Sequence, residues 1–301
     1  MTQQTYRAQA RRAWFAAVAV STLALGGSAT SIVVGWRPVR ELTATFANAC
    51  LRAWAMLPEL LRLLLVGSAA IGVASAGLWV WSVMRQWRAT SAALRTLVER
   101  DLELHPRLVQ ALARSGMSSR VVVFPSPHPV AFTAGLVSPR IGISTALLDA
   151  LDADELEAVL LHEHSHVRAK DPAYLAVGRA LSAAFFYLPI VPGLMRRHQA
   201  AVELAADQDV IAAQGGPLGL ASAMTKALRL SSVRQGSACF MGATDLRLSS
   251  LLERDVRLPA VSGRALLQSA LALGTVVVPT VSAYALAGAL TSASIILQCP
   301  L

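Results

Sequence analysis

Residues 152–166 read Asp-Ala-Asp-Glu-Leu-Glu-Ala-Val-Leu-Leu-His-Glu-His-Ser-His, and this stretch decides the fold. Asp152 can accept from the first free N–H groups of a helix while Glu155, three residues on, reaches back, which is a capping box. On that helix His162 and His166 stand at i and i+4, so both imidazoles leave one face and can share an ion. Glu163 lies one residue along, about 100° round the helix. There it can take a proton from a water at the metal without binding the metal itself. Two histidine ligands and a glutamate base make the HExxH arrangement of zinc hydrolases. His164 points about 200° away from His162 and is left out of the ligand set. A solvated face carrying incidental histidines is the bland alternative. The apolar run Ala158–Leu161 argues against it, because a buried helix makes unpartnered imidazoles costly.

A catalytic zinc needs a third protein ligand and an open position. A metzincin continuation is excluded, since Ala169 and Pro172 stand where its glycine and third histidine would be. Glu203-Leu-Ala-Ala-Asp207 lies 37 residues beyond His166 and offers carboxylates at i and i+4. Glu203 is expected to complete the site, with Asp207 accepting an imidazole N–H behind it. The expectation is one zinc ion per chain. Between the two motifs, Ala180–Met195 is 16 uncharged residues holding Pro189 and Pro192. Were it a full membrane span, Glu203 would lie across the bilayer from both histidines. It is therefore expected to be a re-entrant, interfacial or core segment bent at its prolines.

Upstream, Arg120–Phe124, Val130–Thr133 and Arg140–Ser144 read as short strands, and Arg85–Met117 as helix broken at Pro106 and Gly116. Arg140–Ser144 could be an edge strand that pairs with an extended substrate. A fully paired internal strand is the competing reading. His128 and His198 are assigned surface or core roles rather than catalytic ones.

The rest of the chain is apolar: 54% hydrophobic and 15% charged residues, against about 25% charged in a typical globular protein. Disorder and an all-soluble enzyme are excluded. Three uncharged stretches reach the length of about 20 residues that a spanning helix needs: Ala13–Trp36, Leu63–Met84 and Ala265–Leu297. The net charge of +9 comes from scattered arginines at segment edges, so a nucleic-acid footprint is not expected. Placing the N-terminal tail and residues 85–264 on one side collects nine flanking Arg there and leaves four opposite, which points that region to the cytoplasm. The expected layout is a two-helix membrane region over 1–84, a cytoplasmic metallopeptidase domain over 85–264 and a final membrane helix over 265–301. Cys50, Cys239 and Cys299 form no metal or disulfide pattern and read as small hydrophobes.

Residues 131–171, from Ala-Phe-Thr-Ala-Gly-Leu through His-Glu-His-Ser-His to Lys-Asp, resemble the membrane metallopeptidases of the BlaR/MecR antirepressor family. Phe185–Asp209, with Arg196-Arg197 and Glu203–Asp207, resembles the same family's second zinc segment. HtpX-like and CAAX-type peptidases share the HExxH…ExxxD signature. The resemblance implies a mainly α membrane protein with three transmembrane helices and a zincin-like α+β metallopeptidase domain with a small sheet. It implies His162, His166 and Glu203 as ligands, Glu163 as base and Asp207 behind the ligands. The large sensors carry a penicillin-binding domain after the last span; this chain ends at Leu301, so a short form without that sensor is expected. The partner implied is a protein substrate, a repressor of the BlaI/MecI type, met at the lipid bilayer. HtpX-like quality control of membrane proteins and a non-catalytic signalling scaffold are the alternatives, and a scaffold would have no need of Glu163.

Overall fold

The computed structural model describes residues 3–40, 59–99, 106–115, 121–234, 244–252 and 256–297; Cys50, Cys239 and Cys299 lie outside them. The chain is mainly helical. In order the elements are α1 (Gln3–Arg40), α2 (Glu59–Glu99), α3 (Pro106–Ser115), β1 (Val121–Phe124), β2 (Ala131–Ala134), β3 (Arg140–Ser144), α4 (Thr145–Ala150), α5 (Ala153–Ala169), α6 (Asp171–Ala184), α7 (Ile190–Gln214), α8 (Leu218–Arg234), α9 (Thr244–Leu251) and α10 (Gly263–Leu297). They form two compact units, Met1–Phe15 with Ser82–Ala180 and Gly193–Ala260, and Ala16–Trp81 with Leu181–Pro192 and Val261–Leu301.

The first unit is built round α5. Its capping box is formed: Asp152 accepts from the N–H groups of Asp154 and Glu155, and the Glu155 carboxylate accepts from Asp152 N at 2.9 Å. Leu156, Val159 and Leu160 of α5 are buried with Ile141 and Ile143 of β3, Leu147 of α4 and Leu220 and Met224 of α8. The sheet, among the described residues, has the order β1-β3-β2, with β1 parallel and β2 antiparallel to β3. The run 140–144 is therefore the central strand, paired on both sides, and not an edge. Among the described residues β1 and β2 are the two edge strands. Phe132 lies opposite Gly142 across the β2–β3 pair, and a Cβ on Gly142 would meet its ring at 2.9 Å. Gly135, at φ +116°, then turns the chain where a side chain would collide with the Ser138 carbonyl.

At its other end α5 stops on Lys170 in the left-handed conformation, with Lys170 N–H closing onto His166 and Val167. That reversal starts α6 at Asp171, beside the last turn of α5. The first turns of α1 also belong to this unit, with Tyr6 and Ala10 buried beside Ala201, Val202 and Leu204 of α7.

In the second unit large and small residues sort by face. Ala24, Ser28, Ser68 and Ser75 are buried, whereas Leu63, Val66, Val73, Leu266 and Val278 are exposed. A Cβ on Gly72 of α2 would overlap the Ser28 side chain of α1, so the two helices approach at small residues. The hydroxyls of Ser28 and Ser68 bond to carbonyls of their own helices. Among the described residues, Glu59–Ala92 is the one helix long and apolar enough to cross a bilayer, and Gly263–Val278 is a shorter apolar helical stretch. The expected set of three spans is thus met by one. No helix ends at Met84 either: α2 continues to Glu99, because the Arg, Ala and Leu residues after the apolar stretch are good helix formers. Residues 180–195 do not form one helix. The chain breaks after Ala184 and restarts at Ile190, with Pro189 before the new helix and Pro192 in its first turn, where a missing N–H costs nothing.

Candidate metal centre

α5 and α7 bring three donor groups to one point. His162 Nε2 and His166 Nε2 are 3.2 Å apart. The Glu203 carboxylate lies 3.4 Å from the first and 3.8 Å from the second. Ligand bonds of about 2.0–2.1 Å in a tetrahedron put ligand atoms about 3.3 Å from one another, so this triangle fits a small cation with a fourth position open. Two imidazoles and a carboxylate also form the donor set for such an ion. His164 is not part of the cluster.

Behind each imidazole stands a carboxylate, and behind each carboxylate a guanidinium. His162 Nδ1 is 2.9 Å from Asp207 Oδ1, and Asp207 is held by Arg247 through Nε at 2.8 Å and Nη2 at 2.7 Å. His166 Nδ1 is 2.9 Å from Asp171 Oδ2, and Asp171 accepts from Arg7 at 2.9 and 3.1 Å. These bonds fix each ring so that its Nε2 faces the cation position. Arg247 is fully buried and also lies 3.4 Å from Glu203. Glu203 and Asp207 share the one guanidinium of Arg247, and a cation at the triangle would balance the negative charge that remains between them.

The same arrangement sets the acidities. Burial opposes ionisation of Asp207, but the Arg247 charge and the His162 hydrogen bond outweigh it and lower its pKa to about 2. For Asp171 burial is again opposed, here by His166 and Arg7, and for Glu203 by His162, His166 and Arg247; both lie below the ordinary carboxylate range. Burial and Arg247 disfavour a charged His162, yet hydrogen bonds to Asp207 and Glu203 prevail and raise its pKa to about 9. A cation held there would displace that proton, because a ligand imidazole is neutral.

Glu163 is buried one position from the ligands, and its Oε2 accepts from Thr133 Oγ1 on β2 at 2.7 Å. A cavity of about 660 Å³ opens over the cluster, lined on one side by Phe132, Thr133 and Gly135 and on the other by Arg179, Arg196 and Gln199. His128 and His198 lie outside the cluster; His198 is buried with Nδ1 2.9 Å from the Ala10 carbonyl.

Asp171, Arg247, Thr133 and Arg7 are the site's neighbours that the sequence reading did not single out. Asp171 had a local signal, an acid five residues past His166. The others are joined to the site only by the fold.

A sequence profile described as BlaR1 peptidase M56 matches residues 44–243, two thirds of the chain. The chain belongs to the BlaR1 peptidase M56 family. Curated proteins named Protease HtpX are also similar to it. Protease HtpX of Idiomarina loihiensis is 29% identical over 144 residues, 44% of this chain and 50% of that protein. Protease HtpX homolog 2 of Methanosarcina mazei is 34% identical over 89 residues, 29% of this chain and 30% of the relative. Protease HtpX homolog 1 of Saccharolobus solfataricus is 46% identical over 54 residues, 17% of each. The chain thus spans half or less of the curated relatives it matches. No solved structure matches this M56 family chain.

Proposed function

We propose that this chain is a membrane-embedded zinc endopeptidase that cleaves a protein at the cytoplasmic face. The observation that carries the reading is the ligand triangle of His162, His166 and Glu203 with an acid, Glu163, beside it at the floor of an open cavity. Zinc, when bound there, supplies Lewis acidity that polarises a carbonyl and acidifies a water. Glu163 accepts the proton of the attacking water and passes it to the leaving amine. Thr133 holds one Glu163 oxygen and leaves the other for that transfer. The free edge of β2, rather than β3, runs along the cavity and can pair with an extended substrate backbone. Asp207 keeps the His162 ring in the tautomer whose Nε2 is a ligand.

The sorting of large apolar residues outward and small ones inward in the second unit supports lipid around it. We place α1, α2 and α10 as three membrane helices, with residues 85–264 cytoplasmic and 180–195 as a non-spanning hairpin. Membership of the M56 family supports a repressor of the BlaI/MecI type as substrate. Similarity to Protease HtpX supports the second reading, cleavage of membrane proteins in quality control.

The deciding experiment compares cleavage and zinc content of the parent and Glu163→Gln. The variant keeps its zinc and loses about 10²–10⁴-fold in rate, as expected for removal of a positioned base. Cleavage at the parent rate would remove Glu163 from the reaction.

A further inference from the structure

The two imidazoles are backed by matching chains of groups, but their outermost members have different origins. Arg247 comes from α9, late in the sequence. Arg7 comes from the first two turns of α1, which are held in the metal-site unit by buried Tyr6 and Ala10 and by His198 Nδ1 against the Ala10 carbonyl. The Arg7 side chain is only 15% exposed and its partner Asp171 only 4%. Its Nη1 donates to both Asp171 oxygens, at 2.9 and 3.1 Å, and its Nη2 donates to Ser165 Oγ at 2.7 Å. Ser165 in turn donates to Asp209 at 2.5 Å and sits one residue before His166, so Arg7 ties the end of α5 to the start of α6. Exposed Arg11, one turn along the same helix, makes no such bridge.

An aspartate has two rotatable bonds, and a single imidazole N–H does not fix them. Arg7 does, by holding both oxygens while Oδ2 receives His166 Nδ1 at 2.9 Å. Without Arg7 the buried carboxylate loses its cation and is free to turn, which releases the His166 ring.

We propose that Arg7 is a positioning residue: through Asp171 it orients His166, so that the N-terminal helix is a working part of the metal centre and its displacement weakens metal binding. The proposal rests on the zinc reading given above.

The test is zinc affinity by chelator competition on the full chain in detergent, for the parent, Arg7→Ala, Arg7→Lys, Asp171→Asn, the Arg7→Ala/Asp171→Asn pair and Arg11→Ala, with cleavage measured alongside. Loss of a group behind a metal ligand typically costs 10–100-fold in affinity. Asp171→Asn should fall in that range and Arg7→Ala near its lower end, about tenfold. Arg7→Lys, with one charge and no fork, should lie between Arg7→Ala and the parent. Because Arg7 acts through Asp171, the pair should bind zinc no more weakly than Asp171→Asn alone, and Arg11→Ala should match the parent. A structural role alone would lower thermal stability and leave the affinity of the folded protein unchanged. Parent-like affinity in Arg7→Ala and Arg7→Lys, or additive losses in the pair, overturns the proposal. A parent that binds zinc but cleaves nothing overturns the peptidase reading alone, and one that takes up no zinc overturns both.

Discussion

Replacing Arg247 by Met removes a buried charge while keeping most of the side chain's volume. In the folded chain Arg247 is fully buried, makes bonds of 2.7 and 2.8 Å to Asp207, and lies 3.4 Å from Glu203. Asp207 is itself only 1% exposed, so no water can replace the lost partner. Removing one member of a buried ion pair costs about 3–5 kcal/mol, because the other charge stays in low dielectric. At about 2–4 °C per kcal/mol for a unit of this size, Tm should fall by roughly 6–20 °C. Asp207→Asn added to Arg247→Met removes the stranded charge and should restore a large part of the loss. The assay is thermal unfolding in detergent of the parent, both single variants and the double, read as a double-mutant cycle. A drop of less than about 2 °C in Arg247→Met, or a double variant whose loss equals the sum of the two single losses, would rule out a buried ion pair of this strength.

Two other outcomes follow from the same structure. Burial keeps His198 neutral by lowering its pKa below 6.5, with the Ala10 carbonyl working against it. The unfolded chain therefore takes up a proton that the folded chain refuses, so this contribution to stability is whole above pH 6.5 and is lost as pH falls below it. Tm should fall more steeply from pH 7 to 5 in the parent than in His198→Asn, which cannot titrate; parallel curves would contradict the assignment. Reporters fused after Arg100 and after Gly236 should both report cytoplasm, with one near Asn48 exterior; opposite sides for the first two would make 180–195 a span and remove Glu203 from the site.

What the sequence made legible was what depends on local periodicity. His162, Glu163 and His166 fall within about one turn of a capped helix, and Glu203 and Asp207 within about one turn of another. Arg7 and Asp171 are 164 residues apart, and Arg247 and Asp207 are 40 apart, so no spacing rule joins them. Asp171 reaches His166 because Lys170 turns left-handed, a conformation that sequence pattern does not favour at lysine. Strand pattern identified Arg140–Ser144 as β but not its place in the sheet, since the alternation of Ile141 and Ile143 with smaller or polar residues suits a strand with one partner or two, and only the fold buries 141–144 without a break. Charge marked where apolar stretches end, at Arg85 for example, but α2 continues past it because arginine suits a helix as well as leucine does.

Zinc K-edge X-ray absorption with metal analysis reads out the proposed ligand set of His162, His166 and Glu203. About one zinc per chain is expected, surrounded by nitrogen and oxygen alone at about 2.0–2.1 Å, with two imidazoles in the shell. His162→Ala/His166→Ala should lose the metal. A sulfur neighbour at about 2.3 Å, or one zinc per chain kept by the double variant, would place the metal elsewhere.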